Sequence, residues 1–174
     1  HQEWLKRNFS NVEGHTLELD NLFKSFEGTL NNFGSEHGMA NSRARLRMTT
    51  LYQVAAANSG IVVGTGNKVE DFGVGFYTKY GDGGVDISPI ADCNKTEVWE
   101  LGKELGILKE IIDAPPTDGL WDDGRTDEGQ LGLSYKELEE AMDNENSVNR
   151  DKYNSIRSAN LHKMEPIPVC KIPN

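Results

Sequence analysis

The chain has 174 residues, 36% of them hydrophobic, which suits one globular domain with a hydrophobic core. Its 28 acidic residues outnumber the 18 basic ones, and the formal charge of −10 argues against a general nucleic-acid-binding protein. The sequence has no apolar segment of the ~20 residues that a membrane helix needs and no secretory signal pattern, so we expect a cytoplasmic protein with no membrane partner. It also has no cysteine cluster, so we expect its thiols to be reduced.

Hydrophobic spacing in the first quarter of the chain predicts a helix over residues 1–9, a short strand over 15–20 and a helix over 21–30. Residues 31–40 are rich in glycine and asparagine and predict a mobile loop. Because the sequence starts at His1 inside a predicted helix, we expect a chain that is incomplete at its N-terminus.

The middle of the chain predicts alternating helices and strands. A helix capped by Asn41 or Ser42 is expected to run to about residue 58, and an apolar run at 61–63 has the pattern of a buried parallel strand. A second short strand is predicted at 87–90, and a helix over 95–105 ends before a glycine. This order predicts an α/β fold with a parallel sheet and flanking helices, whose ligands would gather at the strand ends.

The last third of the chain begins with an acidic segment, 117–130, that predicts a second mobile loop. Ser134 and Glu137 have the spacing of a capping box and predict a further helix. Residues 158–174 are predicted to form a C-terminal tail, and the prolines of IPVCKIP require an extended backbone there.

The segment GTGNKVED follows the predicted strand at 61–63 and combines flexible glycines with groups that bind ligands. Thr65 can donate to a ring nitrogen or a phosphate, and Glu70 or Asp71 can bind Mg²⁺ through oxygen. The G-x-G-x-x-G pattern of Rossmann nucleotide loops is absent. From this segment alone, an ordinary strand-to-helix turn is an equally good interpretation.

Positive charge is clustered despite the acidic composition, because Arg43, Arg45 and Arg47 lie within five positions. A solvated helix face is the usual explanation, but the position near a helix start after a glycine-rich loop favours an anion site. Lys95 at the start of a later helix opposes the helix dipole, which also favours a nearby anion, although an ordinary exposed lysine is consistent with the pattern.

The segment FYTKYGDGGVD places Lys79, Asp82 and Asp86 on a backbone bent by three glycines. A structural cluster of ion pairs is one interpretation. Exposed ion pairs contribute less than ~1 kcal/mol each, so a rigid polar pocket for one ligand is the interpretation that we favour.

Six ordered segments together resemble the synthetase region of bacterial NAD synthetases: NSRARLRM, GTGNKVED, GFYTKYGDGGVDISPI, APPTDGLW, RTDEGQLGLSY and HKMEPIPVCKIP. The resemblance implies a single synthetase domain over 1–174 with an adenine-nucleotide alpha-hydrolase-like (ATP pyrophosphatase) fold, in a homodimer. It implies an enzyme that amidates deamido-NAD. ATP, with Mg²⁺, adenylates the carboxylate and releases pyrophosphate, and ammonia then displaces AMP.

The resemblance also implies roles for individual residues. It places Thr65, Lys95 and Thr117 at ATP, Glu70 at Mg²⁺, and Arg45, Lys79, Asp86, His162 and Lys163 at deamido-NAD. Asp82 matches an aspartate near the incoming ammonia, and it is the expected catalytic residue together with Lys95.

Two departures from the family pattern leave alternatives open. The SGG-x-DS pyrophosphate loop is absent from this sequence, so we expect an N-terminal part to be missing. One additional residue separates Glu70 from Lys79, which makes Asp71 a second candidate for the metal ligand. Ammonia and glutamine are both candidate nitrogen sources. The alternative functions are another ATP pyrophosphatase, such as a GMP synthetase or a tRNA-thiolating enzyme, and a non-catalytic nucleotide-binding or dimerisation fragment.

Overall fold

The structure is a computed structural model and describes residues 1–172. Helices dominate it. The α-helices are α1 (Gln2–Asn8), α2 (Asp20–Thr29), α3 (Glu36–Ala57), α4 (Lys95–Glu104), α5 (Lys109–Ile112), α6 (Asp127–Leu131), α7 (Tyr135–Asp143) and α8 (Arg150–Met164); a 3₁₀ turn forms at Asn31–Phe33 and a π-helix at Val69–Val74. No helix within these residues is both long enough and apolar enough to cross a membrane.

The hydrophobic core lies where the π-helix packs against α7 and α8. Its buried members are Val69, Val74, Leu131, Leu133, Tyr135, Leu138, Ala141 and Tyr153. The π-helix therefore buries Val69 and Val74 completely, while Glu70 and Asp71, between them, are only partly buried. The core thus fixes the backbone of a segment that carries two carboxylates.

Two of the predicted helix starts are confirmed by their caps. Ser134 and Glu137 form the predicted capping box at the start of α7. The predicted helix at 95–105 is α4, which starts with a capping box of Asn94 and Glu97. Gly106 follows it with φ of +68°, a left-handed conformation that favours glycine.

The predicted strand at 15–20 is wrong, because residues 12–19 are irregular and α2 starts at Asp20. Alternating side chains do not make a strand when no partner backbone lies beside them.

The predicted loop at 31–40 is wrong for its second half, which is helical. Helix α3 starts at Glu36, since the Ser35 hydroxyl accepts the backbone N–H of Gly38 at 3.0 Å and caps the helix. This cap outweighs the low helix propensity of Gly38, so Asn41 lies inside the helix and does not begin it.

Two further predicted boundaries in the C-terminal third differ from the structure. The predicted loop at 117–130 contains the start of α6, which Thr126 caps by accepting the N–H of Gly129 at 3.1 Å. Residues 158–164 of the predicted tail belong to α8, and only the following residues 165–172 are without helix. The predicted tail also includes residues 173–174, which lie outside the described residues.

The parallel strand pairing is much shorter than predicted. Within residues 1–172 it consists of one parallel bridge between Val63 and Ile87, in which the Gly64 N–H donates to the Ile87 carbonyl at 2.7 Å. The predicted strand at 87–90 does not continue past the bridge, because Pro89 has no N–H to donate and the chain turns there. The bridge nevertheless brings the 64–66 turn next to Asp86.

Candidate functional site

Two cavities meet at Asp82. One, of about 310 Å³, is lined by Phe76, Tyr77 and Trp121 and by the polar groups of Asp82 and Lys163 among others. The other, of about 280 Å³, joins Asp82 to Gly64 and Thr65. The glycine-bent segment and the 64–66 turn therefore share a cleft, as the sequence interpretation expected.

The Asp82 carboxylate is held by its own turn. Its Oδ1 accepts the Thr78 N–H at 2.9 Å, and the Gly81 N–H donates to the Thr78 carbonyl at 2.8 Å. A Cβ at Gly81 would lie 2.8 Å from the Thr78 side chain, which explains the glycine. Although the residue is exposed by surface area, desolvation by the surrounding protein raises the pKa of Asp82 above its ordinary value, and the Thr78 N–H and Lys163 oppose this shift.

Lys163 closes the cleft from the C-terminal end of α8. Its ammonium donates to the Gly75 carbonyl at 2.9 Å and to the Tyr77 carbonyl at 2.8 Å. Burial lowers its pKa, while the charge of Asp82 opposes that shift. A lysine and a carboxylate therefore face each other across the cavity.

Other predicted substrate residues gather around Lys79. The Lys79 ammonium donates to the backbone carbonyl of His162 at 2.6 Å, and the Arg45 Nε donates to the Lys79 carbonyl at 3.3 Å. The His162 residue is exposed. The structure thus links Arg45, Lys79 and the His162 backbone in one group next to Lys163, and Lys163 is the member of this group that lines the first cavity.

Asp86 lies apart from this group. Its carboxylate accepts the Val62 N–H at 2.7 Å and the Tyr52 hydroxyl at 3.2 Å, so it ties the 60–62 segment to α3. Its oxygens hold the backbone beside the parallel bridge. Asp86 therefore has a structural role, and its role in deamido-NAD binding stays a prediction.

Glu70 and Lys95 form a second, more buried group. Their side chains are 15% and 18% exposed, and the Lys95 Nζ lies 2.9 Å from the Glu70 Oε1. The Tyr135 hydroxyl lies 2.6 Å from the same Oε1 and 3.0 Å from the Asp127 Oδ2. Burial is the main cause that raises the pKa of both Tyr135 and Asp127.

Helix α4 presents Lys95 to Glu70 because its start is fixed by α7. The carboxylate of Glu139 accepts both the Thr96 N–H, at 3.0 Å, and the Thr96 hydroxyl, at 2.7 Å. The ammonium of Lys95 also lies 4.9 Å from the centre of the Tyr135 ring. The position of Lys95 therefore depends on contacts with α7 and with Glu70 of the π-helix.

Asp71 lies between the two groups. Burial, followed by the charges of Glu70 and Asp82, raises its pKa to about 6. Residues 1–172 contain no group of three His, Cys, Asp or Glu side chains that could hold a metal. The predicted metal role of Glu70, with Asp71 as the alternative, therefore stays a prediction.

The two predicted ATP threonines lie in different places. Thr65 is exposed at the cleft, whereas the Thr117 hydroxyl accepts the Gly119 N–H at 3.2 Å and donates to the Arg125 carbonyl at 3.2 Å. Next to Thr117, the Asp118 carboxylate accepts from Trp121 Nε1 at 3.3 Å and holds the indole beside the cavity.

Sequence reasoning missed Asp127, Tyr135 and Asp118. The segment RTDEGQLGLSY contributed to the family resemblance, but its acidic and aromatic side chains have no spacing of their own that identifies a site. Tyr135, for example, contacts Glu70, which lies 65 positions away in the sequence, so only the fold brings the two together.

A sequence model of the NAD synthase family matches residues 5–170. The NH3-dependent NAD+ synthetase of Alkaliphilus oremlandii is 47% identical over 91% of this chain and 60% of its own length. That of Syntrophomonas wolfei is 37% identical over 94% of this chain and 68% of its own length. The chain spans only 51–60% of the length of several such curated relatives.

Solved structures that are similar to this chain also include synthetases of this kind. An NMN synthetase from Francisella tularensis superposes with a TM-score of 0.89 at 32% identity and covers 98% of this chain and 71% of its own. An NH3-dependent NAD synthetase from Campylobacter jejuni shares the fold, with a TM-score of 0.70 at 24% identity over 92% of this chain and 67% of its own. On the family match and these similarities, the chain belongs to the NAD synthase family.

Proposed function

We propose that the complete protein amidates deamido-NAD to NAD at the expense of ATP, with ammonia as the nitrogen source. The observation that carries this proposal is the presence of Asp82 and Lys163 in one cavity, which Tyr77 also lines. Membership of the NAD synthase family and the names of the relatives support the reaction and ammonia as its nitrogen source.

The reaction requires two steps because a carboxylate is a poor electrophile. A carboxylate oxygen of deamido-NAD attacks the α-phosphorus of ATP, and pyrophosphate leaves. Ammonia then attacks the acyl carbon, AMP leaves with the bridging oxygen, and one proton is released. We assign to Asp82 the acceptance of that proton, since a carboxyl whose pKa is raised is a better base than an ordinary one.

The cations that cluster around Lys79 and Lys163 suit an anionic dinucleotide. We assign Arg45, Lys79, His162 and Lys163 to deamido-NAD, with Asp86 as a hydrogen-bond acceptor. The ammonium groups of Lys79 and Lys163 already donate to backbone carbonyls, which fixes their positions before the ligand arrives.

ATP would lie on the other side of Asp82. We assign Thr65, Lys95 and Thr117 to it, with Lys95 offsetting charge that develops on the phosphates. Lys95 is the first residue of α4.

Mg²⁺ is the metal that we propose, with Glu70 as its ligand from this chain. Within the described residues the Glu70 Oε1 accepts two hydrogen bonds, and Oε2 accepts none. Mg²⁺ is commonly held by one or two carboxylates together with substrate phosphates and water, so one available oxygen fits this metal. Bound Mg²⁺ would offset the charge of the phosphates.

The fold class and the cellular context are also proposals. We propose a parallel sheet of the adenine-nucleotide alpha-hydrolase-like type, supported by the parallel bridge between Val63 and Ile87. We also propose a cytoplasmic homodimer, in keeping with the family.

A second candidate is the same chemistry on a mononucleotide, and the likeness to an NMN synthetase at a TM-score of 0.89 favours it. The test is to supply the complete protein with ATP, MgCl₂ and ammonium chloride, and with either deamido-NAD or nicotinic acid mononucleotide. The proposal predicts NAD as the faster product by chromatography. Faster NMN formation would favour the second candidate, and failure to form either amide would contradict both.

A further inference from the structure

Tyr135 places a single hydroxyl between two carboxylates. The residue is completely buried, and its hydroxyl lies 2.6 Å from the Glu70 Oε1 and 3.0 Å from the Asp127 Oδ2. A phenol has one proton, so it can donate to only one of these oxygens at a time. The shorter distance favours donation to Glu70.

Asp127 is the less satisfied of the two carboxylates. The residue is 6% exposed, and its Oδ1 is the one buried side-chain nitrogen or oxygen within residues 1–172 that has no hydrogen-bond partner. An unpaired buried carboxylate oxygen lowers stability because its desolvation is not compensated by a hydrogen bond. Replacement by an apolar residue would remove that cost, which indicates that this position serves something other than stability.

Glu70 is held on one side only. Lys95 and Tyr135 both donate to Oε1, while Oε2 accepts nothing within the described part of the chain. Two donors on one oxygen fix the rotation of the carboxylate. They leave the second oxygen without a hydrogen bond within the described residues, so it is available to a further ligand.

We infer that Tyr135 is a positioning residue that holds the Glu70 carboxylate for Mg²⁺ by donating its hydroxyl proton to Oε1. This inference depends on the metal role of Glu70 in the proposed function. Partners of metal-binding carboxylates typically change metal affinity by about 10- to 100-fold when they are removed. The substitution Tyr135→Phe should therefore weaken metal binding by a factor in that range.

A role in packing alone is the competing explanation, because Tyr135 belongs to the hydrophobic core and its ring contacts Trp99 edge-on, with centroids 6.0 Å apart. Tyr153 provides a matched control. It is also a buried core tyrosine, and its hydroxyl donates to the Gly73 carbonyl at 3.2 Å without contacting Glu70. Loss of either hydroxyl should cost similar stability, but only Tyr135→Phe should affect the metal.

The test measures Mn²⁺ binding to the complete protein by electron paramagnetic resonance, in the presence of a non-hydrolysable ATP analogue. Four variants are compared with the unmodified protein: Tyr135→Phe, Tyr153→Phe, Glu70→Gln and the double variant Tyr135→Phe/Glu70→Gln. We expect Tyr135→Phe to weaken Mn²⁺ binding about 10- to 100-fold and Tyr153→Phe to leave it unchanged. The double variant should bind no more weakly than Glu70→Gln, because the tyrosine acts through that carboxylate.

The outcomes separate the two proposals. If Glu70→Gln weakens binding and Tyr135→Phe does not, the inference is overturned and the metal role of Glu70 stands. Equal losses in Tyr135→Phe and Tyr153→Phe would also overturn the inference in favour of packing. If Glu70→Gln leaves Mn²⁺ binding unchanged, the proposed metal role fails, and the inference fails with it.

Discussion

The surrounding protein disfavours the ionised form of the Asp82 carboxyl. Desolvation raises the pKa of its carboxyl, and the nearby Lys163 offsets only part of this effect. Lys163 is in the opposite situation, since burial lowers its own pKa. Such paired shifts in a cleft are typical of functional sites, because a fold selected for stability alone would not retain them.

The raised pKa of Asp82 predicts a pH-dependent cost to stability. Above its folded-state pKa the ionised carboxylate destabilises the folded protein, and this cost disappears as the pH falls below the ordinary value of 3.8. We therefore expect Asp82→Asn to increase the free energy of unfolding at pH 7, and to have no such effect below about pH 4. Urea unfolding at several pH values checks this.

Asp92→Asn is the control for this experiment, because Asp92 is exposed and lines none of the cavities at the site. It should change stability little at any pH. An Asp82→Asn variant that is less stable than the unmodified protein at pH 7 would contradict the account.

Asp86 provides a second prediction at this scale. We expect Asp86→Ala to weaken deamido-NAD binding by about tenfold or more, since hydrogen bonds to charged groups contribute ~1.5–3 kcal/mol, and to affect ATP binding much less. Isothermal titration with each ligand measures both. Tyr52→Phe is the control, because it removes one contact to Asp86 and leaves the carboxylate in place. Equal loss of both affinities in Asp86→Ala would argue against the assignment.

The site residues differ in how far the sequence could predict them. Lys79 and Asp82 lie in one glycine-rich segment whose local pattern indicated a pocket, whereas Lys163 was assigned only through the family resemblance. Asp127 and Tyr135 show no local sequence pattern that indicates a site. Their roles arise from packing between the π-helix and α7, which no local spacing encodes.

At the scale of elements, α4 and α7 act as a pair that fixes Lys95. Glu139 on α7 accepts two hydrogen bonds from Thr96 at the start of α4, and the Asn94 capping box satisfies further groups there. The side chains of Glu139 and Asn94 therefore already accept hydrogen bonds from backbone N–H groups at the start of α4. The side chain of Lys95, rather than the terminal N–H groups of α4, is therefore the part of this helix that we propose for ATP binding.

Removing the contact between these helices should have a measurable cost. We expect Glu139→Ala to lower the free energy of unfolding by about 1 kcal/mol, the typical value of a helix cap. Urea denaturation measures this change. Glu100→Ala removes an exposed glutamate on α4 that makes no hydrogen bond within the described residues and should cost much less. Equal effects of the two substitutions would contradict the proposed link between α4 and α7.

Local sequence patterns predicted some elements, whereas features that depend on a neighbouring segment were not predicted. The capping box of Ser134 and Glu137 predicted α7, and the apolar spacing over 95–105 with the glycine that follows predicted α4. The predicted strand at 15–20 is wrong because alternating apolar and polar residues do not show whether a partner strand is present. The start of α3 was placed too late because two glycines and several asparagines outweighed Ser35 in the sequence pattern.

At the scale of the whole molecule, α8 holds the cleft together through cations on backbone carbonyls. Arg157 donates to the Phe72 carbonyl and, at 2.7 Å, to that of Gly73, while Lys163 reaches Gly75 and Tyr77. The π-helix and the glycine-bent segment are thus both fixed by one helix. This connects the core to the two groups of site residues.

The central claim is that the complete protein activates a carboxylate by adenylation. Deamido-NAD labelled with ¹⁸O in its nicotinate carboxylate, supplied with ATP, Mg²⁺ and ammonia, tests it directly. The account predicts that mass spectrometry finds one ¹⁸O atom in each AMP formed, in equal amount to NAD. Formation of NAD with the label in inorganic phosphate, or with unlabelled AMP, would contradict it.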